Sequence, residues 1–478
     1  MSISSVPAMP SPLLRSGVST WIATFVACVC AFMVVVDGAI VNVALPAMRD
    51  DLGLSPVQLQ WVVDIYLLLL GGFMLLAARA SDIYGRRRLL LWGLTLFTGA
   101  SLVGGLATSG SMLLASRAVQ GLGASVLATS PLAVIVAAHP KGSGQERAIG
   151  LWAACAAMGS AFGVVIGGLL TSLATWRWVM FVNIPVGIVL VAVVAGCLRP
   201  QLTDARAKLD VLGASTVTLA LASFLYAISQ SVHAGWTSST VLIALATALI
   251  MFVAFIAAER SSAQPLINFE IFRLRNVTIG MAMVLSLGAV LTVSMFFLSQ
   301  ALQRIDGRSP LDTGLALLPM ALALAIASIA SRYLRDAGFE NLPFIGSLVS
   351  AAGLIWLNWL PVHPLQISEF LLPTLLVGAG NGLVMMSATQ AVLAGVPRKD
   401  SGLAAGLQNT ARQLGGAVGI AVLGAVAHSV MTAQLAAGQL PQAAELAGYQ
   451  FAFLTAGIVS VVSAFASLML KHAPASKE

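Results

Sequence analysis

The sequence predicts an all-α polytopic membrane protein with fourteen transmembrane helices. Hydrophobic residues make up 58% of the 478 residues and charged residues only 9%, whereas soluble domains carry about 25% charged residues. The mean hydropathy is +0.93. Crossing a bilayer takes about 20 apolar residues in a helix, and the chain is built from apolar runs of that length.

The spans follow from cutting the chain at its clusters of charge, Gly and Pro. The first begins after a polar, Pro-rich segment and ends at Pro46; charged loops bound most of the others. Spans one to six cover 19–46, 57–78, 88–108, 112–138, 147–172 and 178–197. Spans seven to ten cover 208–229, 239–258, 277–301 and 311–331. Spans eleven to fourteen cover 343–361, 368–393, 402–428 and 449–471.

The basic residues predict how the chain crosses the membrane. The net charge is +7, but the Lys and Arg residues lie in short loops, so we expect no nucleic-acid partner. Nineteen of the 25 fall on one side of the layout. By the positive-inside rule, both termini of a multi-pass protein of the cytoplasmic (inner) membrane are cytoplasmic. We expect no cleavable signal peptide, because the first apolar run is too long for one.

Four charged residues lie well inside apolar runs: Asp37, Asp64, Arg117 and Arg412. An ionisable group inside a membrane is costly and indicates function by default. At about 1.5 Å per residue, Asp37, Asp64 and Arg117 lie roughly 13, 10 and 8 Å from the outer ends of their spans. The three groups therefore share one layer. The alternative is that each acid is structural and bonded to a neighbouring helix.

Asp37, Asp64 and Arg117 form the predicted proton- and substrate-coupling site. Desolvation favours the protonated form of a carboxylic acid, whereas a nearby arginine favours the ionised form. Small movements of Arg117 could then switch an aspartate between binding and releasing a proton, and a lipophilic cation could replace that proton. Such competition predicts antiport with protons as the coupling ion and no cofactor or metal.

Motifs around these residues resemble those of the major facilitator superfamily, in its fourteen-helix branch of drug:proton antiporters. Asp37 with Asn42 to Pro46 looks like that branch's helix 1 signature, and Trp61 to Tyr66 is similar to helix 2 of quaternary-ammonium exporters. Ser116 to Gly123 resembles the family's helix 4 motif, whose arginine, here Arg117, is implicated in proton transfer. The resemblance covers nearly the whole chain.

The segment from Ala78 to Arg88 resembles the superfamily's loop between helices 2 and 3, with Ala78 in place of the usual first glycine. Gly85 permits a tight turn, and Asp82 can pair with an arginine or a helix N-terminus. In the family such contacts latch the outward-open state; a loop that only sets topology would explain the arginines alone. The implied conformational gate consists of Asp82, Gly85, Arg86, Arg87 and Arg88.

Glycines in the fifth span match the family's antiporter motif, with Val164 in place of its usual proline. They are Gly150, Gly159, Gly163, Gly167 and Gly168. Closely spaced glycines also let helix backbones approach in any polytopic protein.

The resemblance implies how the chain is organised. It assigns 19–197 to an N-terminal six-helix bundle, 208–258 to an inserted hairpin of helices 7 and 8, and 277–471 to a C-terminal six-helix bundle. Residues 1–18 and 472–478 are then cytoplasmic tails, and we expect a monomer.

A polar stripe marks the thirteenth span, where Gln408, Asn409, Arg412 and Gln413 share one helical face. It faces either the central cavity, which we favour, or another helix. Further predicted cavity residues are Asn42, Trp61, Tyr66 and Gln120.

The predicted function is proton-coupled efflux of amphipathic, cationic drugs such as quaternary ammonium compounds. The alternative is export of an endogenous metabolite such as an antibiotic, siderophore or lipid. The bodies of spans ten and thirteen carry no acid, and Arg412 adds positive charge. Monovalent cations therefore fit better than divalent ones, and a neutral or zwitterionic substrate remains open. An enzyme is not expected, because the five histidines are scattered and no phosphate-binding loop is present.

Overall fold

The computed structural model describes residues 13, 18–139, 143–200, 209–261, 269–339, 341–361, 366–394 and 401–470, which form fifteen α-helices. The first seven are α1 (Thr20–Leu52), α2 (Pro56–Tyr84), α3 (Arg86–Gly105), α4 (Gly110–Ala138), α5 (Ser143–Leu173), α6 (Arg177–Phe181) and α7 (Asn183–Cys197). Two follow, α8 (Val211–Ala234) and α9 (Ser239–Ser261). The last six are α10 (Arg275–Gln300), α11 (Pro310–Asp336), α12 (Leu342–Leu357), α13 (Ile367–Ala394), α14 (Ser401–Ala436) and α15 (Pro441–Ser467).

The predicted all-α membrane fold is confirmed. Within the described residues, thirteen helical segments are long and apolar enough to cross a membrane, and α12 is a shorter apolar helix in the predicted eleventh span. The predicted sixth span consists of α6 and α7, which are separated at Val182. The predicted tails 1–18 and 472–478 lie almost wholly outside the described residues.

Helix α1 is longer than predicted, because Pro46 lies inside it and the helix ends only at Leu52. A proline within a helix removes the hydrogen bond to the carbonyl four residues earlier, which is that of Asn42. Ser299 of α10 donates to this Asn42 carbonyl at 3.0 Å. Measured from Leu52, Asp37 lies roughly 22 Å from the outer end, deeper than the sequence indicated.

Local signals fix the turns that bracket α2. Gly53 ends α1 in the left-handed conformation with φ 61°, and Ser55 and Gln58 form a capping box with Pro56 at the first helical position. At the other end Gly85 has φ 88°, a conformation that L-residues rarely adopt. The tight turn predicted at Gly85 is therefore present.

Helix packing divides the chain into two groups and a pair. Helix α1 packs on α4 and α5, α2 on α4, and α3 on α4 and α7; in the second group α10 packs on α13, α14 and α15, and α13 on α11 and α12. The two groups meet along α5 with α11 and along α2 with α14, while α8 packs on α9, α2 and α14. We call the side with the α1–α2 turn the outer side, because the sequence predicts that it faces away from the cytoplasm.

Candidate functional site

Asp37 of α1 and Arg117 of α4 form a fully buried ion pair. Arg117 Nη1 donates to Asp37 Oδ2 at 2.7 Å, and the two side chains are 1% and 0% exposed. A buried ion pair is stable only when further hydrogen bonds satisfy the remaining polar atoms. The surroundings of this pair supply them.

Two amides complete the shell of Asp37. Its Oδ1 accepts from Gln120 Nε2 at 2.8 Å and from Asn183 Nδ2 at 2.9 Å. Asn183, at the start of α7, was not among the predicted site residues, although an amide side chain inside the predicted sixth span was the available signal. Asp37 is therefore bonded by three side chains from two other helices.

Arg117 is held as firmly as its partner. Its Nε donates to the Val62 carbonyl of α2 at 3.1 Å, and Nη1 also donates to Gln120 Oε1 at 2.6 Å. The guanidinium carbon lies 4.1 Å from the centroid of the Tyr66 ring, a cation–π contact. Tyr66 and Gln120, predicted to line the cavity, are instead buried parts of this network.

Asp64 of α2 lies outside that network. The described contact of its side chain is with Gln60, whose Nε2 donates to Oδ2 at 3.2 Å. The side chain is 1% exposed, and Oδ1 has no hydrogen-bond partner among the described residues. In this structure Arg117 is bonded to Asp37 and not to Asp64, so its predicted action on both acids stays a prediction for Asp64.

An outer cavity of about 170 Å³ lies next to Gln60, the partner of Asp64, between the two helix groups. Gln60 is part of its wall, and both amide atoms of the buried Gln300 lack hydrogen-bond partners among the described residues. The wall also includes Phe296, Glu445 and Tyr449. At about 30 Å³ per water molecule, the cavity has room for about six waters.

Two other predicted cavity residues take different positions. Asn42 is buried and donates to the Gly38 carbonyl of its own helix at 2.7 Å. Trp61 faces the α8–α9 pair, with its ring centroid 6.2 Å from that of Tyr226. It lines grooves beside α8 rather than the outer cavity.

The polar stripe of α14 makes one described hydrogen bond to another helix, and its orientation toward the central cavity stays a prediction. Gln408 Nε2 donates to Thr389 Oγ1 of α13, which is the interhelical contact. Arg412 and Asn409 bond to each other, with Nη2 donating to Oδ1 at 3.0 Å. Both are half-buried.

The predicted gate residues surround the α2–α3 turn. Arg86 Nη2 lies 3.9 Å from Asp82 Oδ1, and the Asp82 side chain is 61% exposed. Arg87 Nη2 donates to the Ala195 carbonyl at 3.0 Å, near the C-terminus of α7, where a cation is favoured by the helix dipole. Arg88 is exposed. The latch to another helix stays a prediction.

The glycines of α5 serve two interfaces. A Cβ at Gly159, Gly163 or Gly167 would lie 3.1, 2.6 or 2.8 Å from α1. At Gly168 the nearest atom is the Pro310 carbonyl of α11, at 2.5 Å. Gly150 has nothing within 4 Å, so close packing explains four of the five motif glycines.

The chain is similar in sequence to membrane transporters of known family. Residues 27–420 match a sequence model of the Major Facilitator Superfamily. The chain is 37% identical to a cephamycin export protein of Amycolatopsis lactamdurans over 84% of each chain. It is 35% identical to a puromycin resistance protein of Streptomyces alboniger, over 91% of this chain and 87% of that one. A multidrug resistance protein of Mycobacterium tuberculosis is 32% identical over 84% of this chain and 75% of that one.

Solved structures share the fold at low sequence identity. An auto-inhibited peptide transporter of the POT family superposes with a TM-score of 0.68 at 16% identity, over 96% of this chain and 99% of that one. A D-xylose–proton symporter gives 0.65 at 14% identity, over 96% and 98%. At these identities the likeness concerns the fold alone.

Proposed function

The chain belongs to the major facilitator superfamily, and from that premise we propose that it exports amphipathic small molecules, cationic drugs among them, in exchange for protons. Family membership makes it a membrane transporter and not an enzyme. Relatives that are antibiotic and multidrug exporters support drug efflux in general. Beyond drug efflux in general, we propose that the exchanged ion is a proton, that the substrates include cations, and which residues bind them.

The observation that carries the proposal is the difference between the two embedded acids. Asp37 accepts from three donors, one of which is the positively charged Arg117, so its negative charge is compensated within the protein. Asp64 has one described hydrogen-bond donor, and its Oδ1 has no hydrogen-bond partner among the described residues. An uncompensated charge in this position is costly, so Asp64 needs a proton or a bound cation.

The outer cavity supports a route for that proton. Gln60 lies in the cavity wall and donates a hydrogen bond to Asp64. Water in the cavity would therefore be separated from the carboxyl group by the Gln60 side chain. A proton taken up there would be exchanged for a cationic substrate arriving from the other side. Asp37, Arg117, Gln120 and Asn183 would then hold the N-terminal helices together while the two groups rock.

Localisation and assembly are also proposals. The excess of Lys and Arg on one side supports a cytoplasmic membrane protein with both termini inside. We propose that it acts as a monomer in the lipid bilayer, with a small amphipathic molecule as its partner.

The test compares Asp64→Asn and Asp37→Asn in proteoliposomes that accumulate ethidium under an imposed pH gradient. We expect Asp64→Asn to abolish proton-driven transport while the protein stays folded, because the variant loses only the titratable proton. Asp312→Asn, which changes an exposed acid at the start of α11, is the matched control. Wild-type transport by Asp64→Asn would show that the coupling site lies elsewhere.

A second candidate is export of an endogenous metabolite such as an antibiotic, siderophore or lipid. It is favoured by the relatives, one of which is a cephamycin export protein and another a tetracenomycin C resistance and export protein. Deleting the gene and profiling small molecules in the medium and the cells would separate the two. A metabolite that is retained in the deletion strain, with unchanged ethidium sensitivity, would favour this candidate.

A further inference from the structure

Arg412 places a positive charge deep in the membrane-spanning part of α14. It lies eleven residues after Ser401, about 17 Å along the helix axis. The side chain is half-buried. An arginine cannot lose its charge in a protein. The charge therefore has to be compensated by water in a cavity, by another protein group or by a ligand.

The backbone around Arg412 is fixed in position by three helices. The Arg412 carbonyl is in close contact with Gly288 of α10, where a Cβ would clash. One turn earlier Gln408 is bonded to Thr389 of α13, and the Cβ of Gln413 lies 3.1 Å from the Cβ position of Gly71 on α2. Arg412 therefore lies on the face of α14 between α10 and α2, where the two helix groups meet.

The donors of Arg412 are mostly unassigned. A guanidinium group has five N–H donors, and the described side-chain hydrogen bond is that of Nη2 to Asn409. Among the described residues, no carboxylate lies within 4.0 Å of it, and Asp37 is paired with Arg117. Along α2, Asp64 lies about eight residues before the level of Arg412, which corresponds to about 12 Å toward the outer side.

We infer that Arg412 binds the carboxylate of an amphipathic substrate. Asn409 orients the guanidinium, which leaves its planar fork for a bidentate carboxylate. In a zwitterion the cationic group would then face Asp64, about 12 Å away by the same helical rise. This inference rests on the proposed function and names carboxylate-bearing amphiphiles, zwitterions among them, as one part of its substrate class.

The test uses rhodamine B, which carries a carboxylate, and its ethyl ester, in which that group is masked. Fluorescence anisotropy measures the Kd of each dye for the full-length protein in nanodiscs, for wild type, Arg412→Gln and Arg412→Lys. We expect Arg412→Gln to raise the Kd of the acid about tenfold and that of the ester less than twofold. Arg412→Lys should fall between, because it keeps the charge and loses the fork. Arg332→Gln removes an exposed arginine of α11 and is the control.

The outcomes separate this inference from the proposed function. Equal changes for both dyes, or wild-type binding of the ester alone, would overturn the role of Arg412. Selective loss of the acid in Arg412→Gln would support it even if neither dye moves under a pH gradient in proteoliposomes. Proton-driven flux of ethidium with unchanged dye binding in Arg412→Gln would overturn it and leave the proposed function standing.

Discussion

Arg117 and Asp37 meet across α4 and α1 at 2.7 Å with no access to solvent. Removing one partner of such a pair leaves the other buried with an uncompensated charge. Replacing both partners with apolar residues leaves no charge to compensate.

Arg117→Met should be one of the two most destabilising single changes in the site. The loss of one buried partner costs about 3–5 kcal/mol, and Asp37→Leu should cost a similar amount. The double variant should recover much of this loss, which thermal unfolding in detergent micelles would measure. Additive losses in the double variant would mean that the two side chains are not coupled.

The motif glycines of α5 should differ in their tolerance of alanine. Gly167→Ala places a methyl group 2.8 Å from the Cα of Ile40, and overpacking of this kind costs about 1–3 kcal/mol. Gly150→Ala meets open space and should be neutral or stabilising, because alanine is the better helix former. Thermal stability and efflux of both variants provide the comparison. Equal damage from both would contradict the packing argument.

Ser299→Ala should open the outer side. Its hydroxyl bonds to the Asn42 carbonyl that Pro46 leaves without a helical donor, and Gln303 bonds to the neighbouring Val43 carbonyl at 2.8 Å. Losing one hydrogen bond of about 1 kcal/mol should shift the balance of states about fivefold. The readout is the rate at which an impermeant thiol reagent labels Ala425→Cys, a cavity-wall position, in a variant without native cysteines.

A control for this experiment is Thr455→Ala, whose exposed hydroxyl bonds only within α15. A labelling rate that stays the same in Ser299→Ala would show that this contact does not close the outer side.

Asp82→Asn should lower the transport turnover and leave the stability of the protein nearly unchanged. The Asp82–Arg86 contact is long and exposed, and such pairs contribute about 0–1 kcal/mol, so unfolding should barely change. Turnover in proteoliposomes should fall, because the family resemblance implies that Asp82 forms the latch that holds the outward-open state. Unchanged turnover would mean that the loop between α2 and α3 serves only to set the membrane topology.

The sequence predicted the elements well because apolar length and charge placement determine them directly. It placed Asp37 and Arg117 in one layer, since both depths follow from helical rise. It could not assign the partner of Arg117, because rotation about the helix axes decides whether an arginine faces Asp37 or Asp64. For the same reason Trp61 was expected in the cavity, whereas it faces Tyr226.

Pro46 shows a second limit. A proline in an apolar run is read as a helix end from local rules, yet here a hydroxyl from the other helix group satisfies the carbonyl it frees. That donor is more than 250 positions away along the chain, and no local pattern contains it.

Helix α8 touches α2 of the first group and α14 of the second, and Thr218 of α8 fits closely against Gly72. A rotation of one group against the other therefore has to slide at least one of these contacts. The activation barrier of the cycle then depends in part on side chains that never meet the cargo, so enlarging Gly72 would slow the exporter without altering what it selects.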